Sequence, residues 1–288
     1  MAVAGIFDSG EGGLSVLKEM TRLLPDEKYI YYSDNAHCPY GEKSPEYIRN
    51  RARAISDRLI SEGADIIVVA CNTATAAAIS MLRAEYSDAE SETVRSHVLE
   101  LSGGRRDHVM FIGMEPAVKP AALGTRSGVI GVLATAGTLK GSKYLKTKES
   151  VDDNVEVVEH VGKGFVELVE SGCLSGPDAE SVVAASLNPL IEAGADTIVL
   201  GCTHYPFLLP VMRKIAGPGI RFIDPAPAVA RQLVHVMSGD GLLSQEDASQ
   251  AISRAETADE HGRCPDVRLL SSGDPAPLHH LFDMIYRR

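Results

Sequence analysis

Residues 65–73, DIIVVACNT, decide the fold. Four consecutive β-branched residues, Ile66 to Val69, run without a polar interruption, the pattern of a strand buried on both faces of a parallel sheet. The run stops at Cys71-Asn72-Thr73, where an amide and a hydroxyl suit the first turn of a helix. A second stretch, DTIVLGCTH at 196–204, repeats the design and ends in Cys202-Thr203-His204. Working outward, comparable apolar runs stand at 3–7, 28–33, 108–113, 128–134, 155–160, 220–224 and 267–272. Between them, 13–24, 44–63 and 228–239 repeat apolar residues at helical spacing. This alternation predicts an α/β chain of doubly wound parallel sheets.

The strand ends fall into two matching sets. Strand 3–7 ends in Asp8-Ser9-Gly10 and strand 65–70 in Cys71, while strand 128–134 ends in Thr135-Ala136-Gly137-Thr138 and strand 196–201 in Cys202. The spacings agree, 71−8=63 against 202−135=67. Open parallel sheets hold ligands outside the carboxyl ends of their strands, so two similar domains facing each other would enclose one active-site cleft. The expected division is a discontinuous first domain, 1–113 plus 210–288, carrying Cys71, and a second, 114–209, carrying Cys202. The charged segment 87–108 interrupts the rhythm and reads as a short helix followed by a Gly-Gly surface turn.

Composition narrows the class. The chain has 288 residues, 44% hydrophobic and 23% charged, which is ordinary for a globular protein and excludes general disorder. A formal charge of −11 repels phosphate backbones and anionic lipid, so neither nucleic acid nor membrane is expected as a partner. MAVAGIFDSG lacks the basic start and apolar run of a secretory signal, and a cytoplasmic protein is expected. Five widely spaced cysteines, Cys38, Cys71, Cys173, Cys202 and Cys264, form no CxxC pair and are expected as free thiols.

The chemistry-bearing residues have both a structural and a functional reading. A single cysteine after a strand is most often a buried structural thiol, but two at matching strand ends, each where a helix N-terminus favours a thiolate, point to acid–base or nucleophilic use. Asp8-Ser9-Gly10 reads as a helix cap, and equally as a carboxylate-binding turn with an acid beside it. Asn72, Thr73, Thr135, Thr138 and Thr203 offer neutral donors and acceptors at the same ends. His204 can hold charge near Cys202; Tyr40-Gly41 forms a turn whose phenol can close over a ligand; Glu115 either caps a helix or projects into the cleft. A zinc site from Cys71, Cys202, His204 and Cys38 or His37 has the right donor types, but the spacing does not argue for it. No G-x-G-x-x-G or GxxxxGK[ST] loop is present, so chemistry without metal or cofactor fits best.

Taken together, FDSGEGGLSVL at 7–17, PYGEKS at 39–44, VACNTATA at 69–76, EPAVK at 115–119, LGCTHYP at 200–206 and DPA at 224–226 resemble the cofactor-independent aspartate/glutamate racemases, and within them the glutamate racemases. The motifs span nearly the whole chain in the family's order. The resemblance implies two facing α/β domains, L- and D-glutamate as substrates, supply of D-glutamate for peptidoglycan, and a homodimer. It also implies that Cys71 and Cys202 are the two acid/base groups, assisted by Asp8 and His204 respectively, with Glu115 as a further assistant. Asp8, Ser9, Tyr40, Gly41, Asn72, Thr73, Thr135, Thr138, Thr203 and His204 are the implied substrate contacts. At 34–38 the chain reads DNAHC where family members commonly carry an arginine, so the contacts of this loop are expected to differ.

Overall fold

A computed structural model describes residues 1–256 and 265–286, which leaves Cys264 outside the described residues. The first half runs β1 (Val3–Asp8), α1 (Leu14–Leu23), β2 (Lys28–Ser33), α2 (Pro45–Ser61), β3 (Ile66–Val69), α3 (Asn72–Tyr86), α4 (Glu92–Leu101) and β4 (Met110–Gly113). The second contains α5 (Val118–Gly124), β5 (Val129–Ala134), α6 (Ala136–Leu139), α7 (Ser142–Glu149), β6 (Glu156–Val161), α8 (Phe165–Glu170), α9 (Pro177–Glu192), β7 (Thr197–Gly201), α10 (Leu209–Ala216) and β8 (Arg221–Ile223). The chain closes with α11 (Ala226–Gly239), α12 (Gln245–Glu256), β9 (Asp266–Ser271) and α13 (Ala276–Tyr286).

The strands make two all-parallel sheets, ordered β4-β3-β1-β2-β9 and β6-β5-β7-β8. In each half the first strand lies between the second and the third, with the fourth outside the third, so the two halves share one winding. The order reverses between β1 and β3 in one sheet and between β5 and β7 in the other, which places a crevice at the carboxyl ends of those four strands. Register keeps these ends level, with Phe7 opposite Val69 and Ala134 opposite Gly201. β3 and β7 are wholly buried, as their unbroken apolar runs require. Gly63 and Gly194, at φ 113° and 89°, stand at equivalent places before β3 and β7, where the chain turns out of a helix through a left-handed conformation that only glycine adopts cheaply.

The helices start where their sequences provide caps. Ser44 accepts the Tyr47 N–H at 3.2 Å ahead of Pro45, which opens α2 with no hydrogen-bonding N–H to lose. α1 turns Leu14, Val16, Leu17, Met20 and Leu23 inward and packs on α11. That contact belongs to a core joining both halves, since Leu17 and Tyr31 share one cluster with Leu133, Leu200 and Leu233.

One detail departs from the expected organisation. β8 pairs in parallel with β7, Thr197 opposite Arg221, so the second sheet runs to residue 223 rather than ending near 209. The short run 220–224 finds its sheet only through its partner, because a short apolar strand is equally able to end either sheet. β9 pairs with β2, returning the end of the chain to the first sheet. Among the described residues no helix is long and apolar enough to cross a membrane.

The segment 87–108 forms α4 and a turn through Gly103 and Gly104, at φ 63° and 82°. It is tied to the end of α11: His108 Nε2 meets Asp240 Oδ1 at 2.8 Å, Nδ1 meets Asp107 Oδ1 at 2.8 Å, and Arg106 pairs with the other Asp240 oxygen. Burial opposes the charged ring, but the two carboxylates outweigh it and raise His108 above the usual histidine value. A raised histidine stabilises the fold fully below its unfolded value and loses that contribution as pH climbs through the folded one. Urea midpoints should therefore fall as pH rises from about 6.5 upward, and Asp240→Asn should flatten that dependence. An unchanged slope in the variant would show that the link does not titrate with folding.

Candidate active site

The crevices of the two sheets open onto one small cavity lined from both halves. Its wall from the first half contains Ser9, Tyr40, Gly41, Cys71, Asn72 and Thr73, and its wall from the second contains Thr135, Cys202, Thr203 and His204. Ten residues expected at the site therefore line it directly. Asp8 and Thr138 stand just behind, each held to a lining residue by a hydrogen bond.

Cys71 is the N-cap of α3. Its sulfur accepts the Ala74 N–H at 3.5 Å and lies 3.8 Å from Ser9 Oγ. The helix end was expected to favour a thiolate, yet the outcome is the opposite. Burial pushes the Cys71 thiol well above its ordinary value and the charge of Asp8 adds to it, against the weaker pull of the Ala74 N–H. Asp8 is wholly buried at the end of β1 and accepts from the Ser9 N–H at 2.7 Å, the Gly13 N–H at 2.7 Å and Thr203 Oγ1 at 3.0 Å. Burial raises this carboxyl too, opposed by the nearby His204 charge and by its hydrogen bonds.

Around Cys202 the local structure differs. After β7 the chain enters a tight 3-10 turn, Tyr205–Leu208, before α10 begins, so no α-helix starts at this cysteine. A histidine does the corresponding work. His204 Nδ1 lies 3.7 Å from the Cys202 sulfur, and its Nε2 is hydrogen-bonded to Glu170 Oε1. Burial disfavours a charged ring, but the contacts to Cys202 and Glu170 outweigh it and hold His204 well above the usual histidine range. Glu170 is itself positioned from the first half, accepting the Glu11 N–H at 3.0 Å. Gly12 leaves the imidazole its space, since a Cβ there would stand 2.3 Å from His204 Nδ1.

Hydroxyls fill the seam between the halves. Thr73 Oγ1 meets Thr135 Oγ1 at 2.9 Å, and Thr135 Oγ1 meets Thr138 Oγ1 at 2.9 Å. Tyr40, buried over the cavity, donates to Asp34, and Asp34 is also gripped by Arg51 Nε at 2.9 Å and Nη2 at 2.6 Å. Arg51 reaches in from α2, so the loop 34–41 has an arginine anchor although none lies within the loop. The Asn72 side chain is 4% exposed and lines the cavity, yet neither its oxygen nor its nitrogen has a protein partner. Buried amides are almost always paired, so this one is poised for a polar ligand.

Glu115 departs from the expectation. It lies outside the cavity wall, ion-paired with Lys143 and accepting from Thr147 Oγ1 at 3.3 Å, both on α7. The carboxylate beside His204 is that of Glu170, which was not among the expected site residues. Sequence reading passed over Glu170 because it sits at the end of a helix and follows no strand; its helical position beside His204 is created only when α8 folds against the turn after β7. Of the donors weighed for a zinc site, Cys38 and His204 come together with Glu170, whereas Cys71, Cys202 and His37 join no group of close metal donors among the described residues; Cys38, Cys71, Cys173 and Cys202 are free thiols.

Comparison with known proteins agrees with this arrangement. Residues 106–233 match the family model for Asp/Glu/Hydantoin racemase. The chain is 45% identical to a glutamate racemase of Stutzerimonas stutzeri, over 99% of this chain and 94% of that one. Among solved structures, a glutamate racemase isoform from Bacillus anthracis superposes with a TM-score of 0.74 at 28% identity, covering 98% of this chain and 93% of that one. A glutamate racemase from Francisella tularensis, solved with D-glutamate, superposes with a TM-score of 0.71 at 26% identity, covering 100% and 94%. Two parallel sheets wound alike, a cysteine at the same point of each, and this full-length similarity show that the chain belongs to the glutamate racemase family, cofactor-independent isomerases of amino acids.

Proposed function

We propose that this protein interconverts L- and D-glutamate by proton transfer between two thiols, and that it supplies D-glutamate to peptidoglycan synthesis. The reading rests on one observation above the others: Cys71 and Cys202 come from equivalent strand ends of two similarly wound sheets and line a single cavity, one from each half. Inversion at a carbon requires the proton to leave one face and return on the other. Two fixed groups accomplish this without moving a single base around the substrate. The names of the relatives, and the D-glutamate bound in the Francisella tularensis structure, favour glutamate as the substrate.

In the reaction, one cysteine as thiolate takes the α-proton and the other as thiol donates its proton to the opposite face. Each turnover leaves the pair with exchanged protonation states, ready for the reverse direction. Asp8 and Ser9 act next to Cys71, while His204, with its proton held by Glu170, stands next to Cys202. The α-proton is weakly acidic, so the carbanion-like species must be met by donors already in place and shielded from water. Asn72, with its unpartnered amide, and the Thr73, Thr135 and Thr203 hydroxyls, backed by Thr138, are suited to hold the substrate's polar ends.

Incubation in D₂O with L- or D-glutamate, followed by NMR at Cα, tests the reaction. The wild type should exchange and invert both enantiomers, whereas Cys71→Ala and Cys202→Ala should each lose racemisation by about a hundredfold or more. Exchange confined to aspartate would replace the substrate, and binding of glutamate with no exchange would make the chain a non-catalytic binding protein. The Glu170→Gln enzyme should lower kcat about a hundredfold with little change in KM, and a ¹H–¹⁵N NMR titration should find the His204 pKa decreased. A loss of activity with the histidine titration unmoved would remove Glu170 from this role. Gly12→Ala should push the imidazole off Cys202 and reduce kcat by at least roughly tenfold while the protein melts as a folded chain; full activity would mean that the ring position is not limiting.

A further inference from the structure

We propose that Cys38, Glu170 and His204 form a binding site for one divalent transition ion, zinc being the natural occupant, and that the ion reversibly blocks catalysis. One donor atom from each of the three lies within 4.8 Å of the others, and among the described residues no other group of three histidine, cysteine and acidic donors comes as close. The three come from separate segments: Cys38 from the loop after β2, Glu170 from the end of α8, and His204 from the turn after β7. Sulfur, carboxylate oxygen and imidazole nitrogen are all donors that zinc accepts, with bonds of about 2.0–2.3 Å. A tetrahedral ion at those lengths holds its ligands roughly 3.3–3.8 Å apart, so the hydrogen-bonded His204–Glu170 pair would open while the Cys38 sulfur closes in, each by about an ångström.

The space for that rearrangement is built in. Gly10 lies under the cluster, and a Cβ there would stand 2.3 Å from Glu170 Oε1 and 3.1 Å from Cys38 Sγ. The two donors thus close over a bare stretch of backbone. Cys38 and Glu170 are partly exposed while His204 is buried, so the ion would rest on a fixed imidazole with two adjustable ligands and a fourth position toward solvent. On binding, the Cys38 thiol and the charged His204 ring each give a proton to solvent, so that the sulfur and the neutral imidazole bond the metal, and Glu170 binds through a carboxylate oxygen. Two anionic ligands balance the two charges of the ion, and no electrons move.

Bound metal would take both partners of the His204–Glu170 hydrogen bond and turn the proton holder beside Cys202 into a ligand. The inhibitory part of the proposal rests on the racemase reading, whereas the binding part does not. Cys38 is the residue to change because it lies outside the cavity wall, so Cys38→Ser should keep its activity without metal.

The test titrates Co²⁺ into the full chain under a non-thiol reductant. The wild type should bind one equivalent with tetrahedral visible bands and a near-ultraviolet thiolate-to-cobalt absorption. Cys38→Ser should lose that absorption and bind at least about tenfold more weakly, since even outer-shell changes at metal sites cost that much. In parallel, Zn²⁺ should inhibit wild-type racemisation, EDTA should restore it, and the same Zn²⁺ should leave Cys38→Ser active. Persistence of the thiolate absorption in Cys38→Ser, or failure of the wild type to bind Co²⁺, overturns the site. Binding as described with undiminished racemisation in Zn²⁺ overturns the inhibition alone, and a chain with no racemisation at all is still judged by the cobalt titration.

Discussion

The hydrogen bond from Thr203 Oγ1 to Asp8 Oδ2, 3.0 Å and buried, is the point on which the site depends. It joins the carboxyl end of β1 in one sheet to the turn after β7 in the other. Asp8 is wholly buried and must be satisfied, because an unpaired carboxylate away from water is costly. Two of its donors come from its own turn, Ser9 and Gly13, and the third only from the opposite half. Closing the halves therefore completes the hydrogen bonding of Asp8, and the same closure brings Cys202 to the cavity that Cys71 lines. Further links run alongside it, from Ser15 Oγ to the Thr203 carbonyl at 3.0 Å and from the Glu11 N–H to Glu170.

The symmetry of the sheets does not extend to the electrostatics of the two thiols. Cys71 caps a long helix and faces an acid, so burial and the Asp8 charge together favour its neutral form. Cys202 precedes only a short turn and faces an imidazole whose charge is supported by Glu170. One winding pattern has thus been given two different proton partners. Glycines make the second partnership possible: Gly12 leaves room for the ring, and Gly10 leaves room for Glu170 beside it.

Much of the fold was legible because buried parallel strands must be nearly continuous in apolar residues. All nine runs read from the sequence are strands within a residue or two at each end. Their ends also located most of the cavity wall, since ligands of such sheets gather at carboxyl ends and Asp8, Cys71, Thr135 and Cys202 follow strands directly. What strand ends cannot reveal is a side chain brought in from a helix. Glu170 and Arg51 both reach the site that way, and Glu115, which does follow a strand, turns instead to Lys143.

By itself the sequence determined the parallel α/β class, the repetition of the winding in two halves, and the pair of thiols at matching positions, because all three depend on local patterns of apolar runs and the residues that end them. Tertiary structure alone decided that β8 extends the second sheet, that Arg51 anchors the loop over the cavity, that Glu170 supports His204, and that Glu115 turns away to Lys143. It also decided the direction in which each titrating group moves, which depends on burial and on charges many residues away. Short apolar strands pair with whichever edge is presented to them, and a charged side chain pairs with the partner that packing brings within reach; neither choice is written in the residues next to it.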